Sequence, residues 1–154
     1  MKKYTEEYLT EIGMQEKQFD ALYRGAASMF GLPDCSMWVL YYLVSAEDNI
    51  SQQDLIEKMM FPKQTINSAV TTLAGKGLVE LAMIPGTRNR KKITLTAEGR
   101  MLAESTVWRM RCAECRAVES MGKERMEQFI ELYRDFFNSL RREFEKEGLV
   151  NANE

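Results

Sequence analysis

The sequence of 154 residues contains no histidine. Histidine is the commonest general base near neutral pH and a frequent metal ligand, so its absence excludes Ser-His and Cys-His catalysis. The sequence also lacks a glycine-rich phosphate loop and any paired-carboxylate or nucleophile signature. We therefore expect a protein that is not an enzyme and that needs no cofactor.

Cysteines are few, and long apolar runs are missing. The three cysteines are Cys35, Cys112 and Cys115, and an odd number without a secretion signal favours reduced thiols. No apolar run approaches the roughly 20 residues that span a membrane. The N-terminus, MKKYTEEYLTEIG, is polar and does not resemble a signal peptide. We expect a cytoplasmic protein without a membrane partner and with one domain over residues 1–154.

Positive charge is scarce at the start of the chain and concentrated in its middle. Residues 1–57 carry four cations and ten acids, whereas residues 58–92 carry seven cations and one acid. Four cations of the second segment stand within five residues: Arg88, Arg90, Lys91 and Lys92. In a chain with a formal net charge of −2, such a segment favours a polyanionic partner. Chance clustering of cations in a solvated loop is the alternative.

Apolar residues recur at helical spacing over most of the chain, and two short alternating runs interrupt them. We predict helices at about 8–31, 34–45, 51–60, 62–75, 96–121 and 123–147, and strands at 78–84 and 92–96. Ser51 and Asp54 form the predicted capping box of the third helix. This order is typical of a winged helix-turn-helix. The predicted fold class is mainly α with a small β-hairpin wing, and residues 34–96 form the DNA-binding part.

The fourth predicted helix has an outer face that suits base recognition. With Ile66, Val70 and Leu73 facing inward, the opposite face carries hydrogen-bonding side chains and no acid: Lys63, Gln64, Asn67, Ser68 and Thr71. Amides and hydroxyls of this kind contact base edges in the major groove of B-DNA. An ordinary solvated helix face is the alternative, although such faces normally carry charges of both signs.

The segment "ISQQDLIEKMMFPKQTINSAVTTLAGKGLVELAMIPGTRNRKKITLTAEGRML" resembles the MarR family of bacterial transcription regulators. The GLVE turn, the arginine-rich wing and the LTxEG helix start carry the resemblance, which covers residues 50–102 best. The resemblance implies a homodimer that binds a pseudo-palindromic operator in double-stranded DNA. It also implies that a small molecule or an oxidant releases the DNA.

The wing departs from the family pattern at one position. The family wing often reads Asp-x-Arg-x-x-Arg, and here Gly86, Arg88 and Lys91 occupy those three positions. Gly86 suits a tight hairpin turn. The resemblance makes Arg88 the best candidate for insertion into the minor groove, with the other wing cations on phosphates. This interpretation requires wing cations that the protein's own carboxylates leave unpaired.

We predict a sequence-specific transcription regulator, with repression as the expected mode of action. The candidate DNA-binding residues lie on the third and fourth helices and in the wing: Ser51, Gln52, Lys63, Gln64, Thr65, Asn67, Ser68, Thr71, Arg88, Asn89, Arg90 and Lys91. A winged-helix module that binds another protein without touching DNA is the alternative. Acids on the fourth helix or at the tip of the wing would favour that alternative, and the sequence has none on that helix or in residues 85–92.

Further features concern assembly and regulation. Aromatic stripes on residues 1–31 and 97–147 predict dimerisation helices, because one small domain has little room to bury them all. Trp38 and Tyr42 are candidate walls of an effector pocket, although an aromatic stripe is more often plain core. Cys112 and Cys115 form a CxxC pair that could respond to an oxidant or bind a thiophilic metal. Structural cysteines are the alternative, since no second pair completes a metal site.

Overall fold

A computed structural model of the chain describes residues 2–45, 50–87 and 90–151. The chain divides into two compact units, residues 1–111 and residues 112–154. The helices are α1 (Lys3–Met29), α2 (Asp34–Ser45), α3 (Gln52–Met59), α4 (Lys63–Gly75), α5 (Ala97–Ser105), α6 (Val107–Met121) and α7 (Lys123–Lys146). The strands are β1 (Ile50–Ser51), β2 (Val79–Met83) and β3 (Lys91–Leu95). The predicted fold class is confirmed.

The core of the first unit is built around α2. Met37, Val39 and Leu40 of this helix are fully buried. They belong to one apolar cluster with side chains from α3, α4, β3 and α6: Leu55, Ile66, Val70, Leu73, Ile93 and Val107. Burying a side chain of this size stabilises a fold by about 1.5–3 kcal/mol. The inward face predicted for α4 is confirmed, so its other face is the one turned to solvent.

The sheet has three antiparallel strands in the order β1-β3-β2. Val79 of β2 pairs with Leu95, and Met83 pairs with Lys91, which gives the predicted hairpin. The two-residue strand β1 is an addition, in which Ile50 pairs with Ile93 and Ser51 with Lys92. Periodicity cannot reveal a strand of two residues. Its pairing places the start of α3 directly beside the wing.

The prediction of one continuous fifth helix was wrong. The chain forms α5 and α6, which are separated at Thr106, where the backbone leaves helical geometry (φ −120, ψ −89). The Thr106 hydroxyl donates to the Leu102 carbonyl at 2.5 Å. A threonine side chain that bonds to a carbonyl in the preceding turn competes with the helical pattern. The burial of Thr106 and Val107 holds this bend in place.

The second unit contains the end of α6 and all of α7. Gly122 separates the two helices as predicted, with a positive φ of 79° that favours glycine. Among the 24 residues of α7, all of which the structure describes, none is buried. Its aromatic stripe is therefore exposed in the single chain, with Phe129, Tyr133 and Phe137 each more than half accessible. An exposed apolar stripe of this size is typical of a surface that binds another molecule.

A tight junction joins the hairpin to α5. Thr96 caps α5 as predicted, since its hydroxyl oxygen accepts from the Gly99 amide at 3.0 Å. The same hydroxyl donates to the Gly77 carbonyl at 2.7 Å. Gly99 is buried against the chain at Leu78, and a Cβ at Gly99 would lie 1.8 Å from the Leu78 carbonyl oxygen. Only glycine fits this position without displacing backbone.

Gly99→Ala is expected to lower the free energy of unfolding by about 3 kcal/mol, because the added methyl group collides with backbone rather than with a movable side chain. Urea unfolding at a fixed chain concentration measures the change. Gly25→Ala is the control, since a Cβ there meets nothing within 4 Å. The control should be neutral or stabilising by up to about 1 kcal/mol. Equal stability of the two variants would contradict the close contact.

Candidate nucleic-acid interface

The start of α3 is fixed by a capping box, as the sequence predicted. The Ser51 hydroxyl oxygen accepts from the Asp54 amide at 3.2 Å. In return, Asp54 Oδ2 accepts from the Ser51 amide at 2.8 Å and from the Ser51 hydroxyl at 2.6 Å. Ser51 is only 2% exposed. Its side chain therefore supports the surface from behind, and the expectation that it contacts DNA directly does not fit this burial.

Arg90 links the wing to the same capping box. Its Nη2 lies 3.1 Å from Asp54 Oδ1 and donates to the Ser51 hydroxyl oxygen at 3.3 Å. The expectation that the protein's own carboxylates leave every wing cation unpaired was therefore wrong for Arg90. Arg90 reaches Asp54 because β1 pairs with β3 and brings the start of α3 to the base of the wing. Its guanidinium holds the wing on α3.

These contacts favour the charged form of Asp54. The hydrogen bond from the Ser51 hydroxyl is the largest cause that lowers the pKa of Asp54 below its ordinary value, followed by the bond from the Ser51 amide. The positive charge of Arg90 acts in the same direction, and partial burial opposes it. Ser51 and Arg90, which both bond to this carboxylate, thus stabilise its negative charge.

A second polar link joins α3 to α4. Gln52 Nε2 donates to Asn67 Oδ1 at 2.6 Å, and both side chains are half-buried. Gln52 is the first residue of α3, directly after the capping box. Two separate side-chain contacts therefore meet at the start of α3: Arg90 joins it to the wing, and Asn67 joins it to α4. Periodicity and propensity did not reveal this connection.

The outer face of α4 is exposed as predicted. Four of its candidate residues are more than a third accessible to solvent: Lys63, Gln64, Ser68 and Thr71. The fifth, Asn67, is half-buried. Thr65, also a candidate, is exposed. The Thr71 hydroxyl donates to the Asn67 carbonyl at 2.8 Å, so only its oxygen remains available as an acceptor. The helix contains no acid, which leaves its exposed face without repulsion toward phosphate.

The wing narrows to a turn that begins at Ile84. The Ile84 amide donates to the Arg90 carbonyl at 2.9 Å, and the Thr87 hydroxyl donates to the Ile84 carbonyl at 2.8 Å. Gly86 has a φ of 77°, so the prediction that glycine suits this turn is confirmed. Arg88 and Asn89, two predicted DNA contacts, lie outside the described residues.

Two lysines follow the turn on β3. Lys91 is exposed and Lys92 is half-buried. Within the described part of the chain, neither lysine forms an ion pair, and the same holds for Lys63 on α4. The described interface therefore retains three cations that are available to an anionic partner, although one wing arginine is engaged.

Two clefts adjoin these elements in the first unit. An open groove of about 500 Å³ runs between the starts of α2 and α4 and is lined by Ser36, Gln64 and Thr65, among others. A smaller cleft of about 210 Å³ lies between α1 and α2, with Tyr23, Trp38, Asp20 and Asp34 in its wall. Trp38, a predicted wall of an effector pocket, lines the smaller cleft. Tyr42 does not line it and instead packs edge-on against Tyr41, with ring centroids 5.9 Å apart.

The described cysteines form neither a disulfide nor part of a metal-binding cluster. Cys112 is half-buried and Cys115 is exposed, and both are free thiols. Cys35 is buried, and burial is the main cause that raises the pKa of its thiol, with the charge of Asp34 adding to the effect. Among the described residues no group of three or more Cys, Asp or Glu side chains could hold a metal ion. Over the same residues no helix is long and apolar enough to span a membrane.

Comparison with known proteins identifies the fold and the family resemblance. Residues 30–88 match the model of the MarR family. No curated protein matches the sequence. The match covers α2, α3, α4 and β2, which are the elements that carry most of the interface, and it confirms the resemblance seen in the sequence motifs.

Solved structures of this family share the fold over most of the chain. A MarR family regulator from Neisseria meningitidis has a TM-score of 0.76 at 21% identity, covering 91% of this chain and 98% of the other. A MepR–DNA complex from S. aureus has a TM-score of 0.68 at 21% identity, covering 86% and 97%. A MarR regulator from Methanosarcina mazei has a TM-score of 0.62 at 21% identity, covering 88% and 98%. At these identities the likeness establishes the fold.

Asp54→Asn is expected to lower the free energy of unfolding at pH 7 by about 1 kcal/mol, because the amide keeps an acceptor but loses the charge that Ser51 and Arg90 stabilise. A carboxylate with a lowered pKa contributes stability that is complete above about pH 4 and is lost as the pH falls further. The difference between the native protein and the variant should therefore shrink as the pH falls below about 4, as measured by urea unfolding.

Glu57→Gln is the matched control, since Glu57 is an exposed acid of the same helix that accepts only from Gln53 at 3.0 Å in the described structure. This variant should stay within about 0.5 kcal/mol of the native protein at every pH. A deficit of Asp54→Asn that is independent of pH would contradict the assignment of a stabilised carboxylate.

Proposed function

Taking this family resemblance as the premise, we propose that the chain is a DNA-binding transcription regulator that acts as a homodimer on a pseudo-palindromic operator. The observation that carries the proposal is the exposed, acid-free face of α4, held through Gln52 and Asp54 to a wing with unpaired lysines. An α-helix of this kind fits the major groove of B-DNA, and a wing reaches the flanking phosphates or the minor groove.

The chemistry of the α4 face favours duplex DNA over a protein partner. Gln64, Ser68 and Thr71 offer the hydrogen-bonding groups that contact base edges, and Lys63 stands in the first turn, where phosphates approach a helix N-terminus. A protein-binding winged helix would be expected to carry acids or apolar side chains on this face. The description of one similar structure, S. aureus MepR, as a complex with DNA agrees with the proposal.

A second copy of the chain is the proposed cover for the exposed apolar residues of α1 and α7. On α1, Tyr8, Phe19 and Leu22 are each more than 60% accessible. On α7, no residue is buried among all 24. Apolar stripes of this length on two helices exceed what a soluble monomer normally exposes. Two-fold symmetry then sets two α4 helices roughly 34 Å apart, one turn of B-DNA.

Repression and release by a signal complete the proposal. A dimer bound across promoter DNA excludes the transcription machinery by occupancy, without any further surface. The cleft between α1 and α2, with the aromatic walls of Tyr23 and Trp38, is a candidate for a small aromatic effector. The thiols of Cys112 and Cys115 are candidates for an oxidant. Both features lie on elements outside α4 and the wing, so either signal would act on DNA binding indirectly.

Lys91→Ala and Lys63→Ala are each expected to weaken binding to an operator duplex selected from a random pool. Each should also reduce the slope of log K against log [salt] by about 0.9, because each removes one phosphate contact. Fluorescence anisotropy between 50 and 300 mM salt measures both quantities. Lys3→Ala is the matched control, a 92% exposed lysine at the start of α1. A slope that changes equally in all three variants would contradict the proposed phosphate contacts.

Phe137→Asp is expected to convert the dimer into a monomer at micromolar concentration, because it places a charge within the apolar stripe of α7. Sedimentation velocity measures the change. Asn138→Asp adds the same charge at the next position, which is exposed and polar, and this control should remain dimeric. A native protein that sediments as a folded monomer would contradict the dimer.

A further inference from the structure

The hydrogen bond between Gln52 and Asn67 restricts what Asn67 can present to a base. An asparagine pairs bidentately with adenine only when its oxygen and its amino group are both available. Here Asn67 Oδ1 accepts from Gln52 Nε2 at 2.6 Å, so its oxygen is occupied within the protein. The amino group of Asn67 keeps both of its N–H donors. Asn67 therefore differs chemically from a free asparagine on a recognition helix.

Gln52 fixes the orientation of the Asn67 amide. The amide of Gln52 uses one N–H on Asn67 and keeps Oε1 and its second N–H. Its backbone position is well fixed, because the preceding residue Ser51 is buried in the capping box. Both amides are half-buried, so they retain an accessible edge. Of the groups on Asn67, this contact leaves the two N–H donors available to a base.

We propose that Gln52 and Asn67 read DNA as one composite unit, in which Asn67 acts as a donor only and Gln52 determines its orientation. The proposal rests on the DNA binding proposed above and specifies how the interface selects its sequence. Guanine offers two acceptors, O6 and N7, in the major groove, whereas adenine offers one acceptor and one donor. We therefore expect the preferred operator to place a G·C pair at this position, with Asn67 contacting the guanine.

The experiment is selection of duplexes from a random pool, followed by sequencing, with the full-length protein and its variants. Asn67→Ala first identifies the base pair, since only that position loses its preference. Gln52→Met removes the donor at similar volume and frees the oxygen of Asn67. At that base pair the ratio of adenine to guanine should then rise by about tenfold, the discrimination typical of one bidentate pair.

Gln52→Glu is a second variant, in which the residue at position 52 can only accept a hydrogen bond from Asn67. A carboxylate only accepts, so it takes an N–H of Asn67 and turns the oxygen of Asn67 toward the DNA. Guanine should then be replaced by a base with a donor, adenine or cytosine, while overall affinity falls because of the added charge. Gln53→Met is the control, since Gln53 bonds to Glu57 and is exposed on the same helix. It should keep the native preferences.

The outcomes separate this inference from the proposed function. If the native protein enriches no duplex, DNA binding itself fails. If it enriches an operator but prefers adenine at the position identified by Asn67→Ala, the composite unit is wrong. The unit is also wrong if guanine persists at that position in both Gln52→Met and Gln52→Glu, provided that circular dichroism shows folded variants. A shift in both variants, with Gln53→Met unchanged, supports it.

Discussion

The account depends on the contact in which Arg90 meets the capping box of Ser51 and Asp54. An exposed ion pair alone contributes little stability, typically about 0–1 kcal/mol. Here the carboxylate is also the acceptor for two hydrogen bonds from Ser51, which orient it independently of Arg90. The consequence is geometric. The wing is attached to α3, and through Gln52 and Asn67 it is attached to α4. A recognition helix and a wing act together on a duplex only if their separation is fixed.

The same contact explains how an acidic protein presents a cationic surface. Asp54, an acid at the edge of the basic segment, is neutralised locally by Arg90. Lys63 and Lys91 remain without ion pairs among the described residues. One cation is thus used to organise the interface, and others are left for the phosphates. Because α4 itself carries no acid, these lysines give a locally positive surface in a chain of net charge −2.

The sequence predicted the features that depend on neighbouring residues. The capping box at Ser51, the turn at Gly86, the break at Gly122 and the inward face of α4 all follow from local spacing, and the structure agrees. The bend at Thr106 was missed because threonine also occurs within regular helices. Here its hydroxyl bonds to the Leu102 carbonyl and its side chain is buried, and the sequence shows neither feature. The role of Arg90 was missed because its partner Asp54 lies 36 residues away, and only the pairing of β1 with β3 brings them together.

Hydroxyl-radical footprinting of the native protein on a duplex selected from a random pool tests the central claim most directly. The account predicts two central patches of protected backbone about one helical turn apart, where each α4 enters the major groove, each flanked by further protection where a wing follows the backbone. Protection should require both the helix and the wing, so Asp54→Asn should lose the flanking protection before the central patches. A duplex that is uniformly cleaved at saturating protein, or one protected by the helix alone with no flanking contact, would contradict a surface built from α4 and the wing acting together.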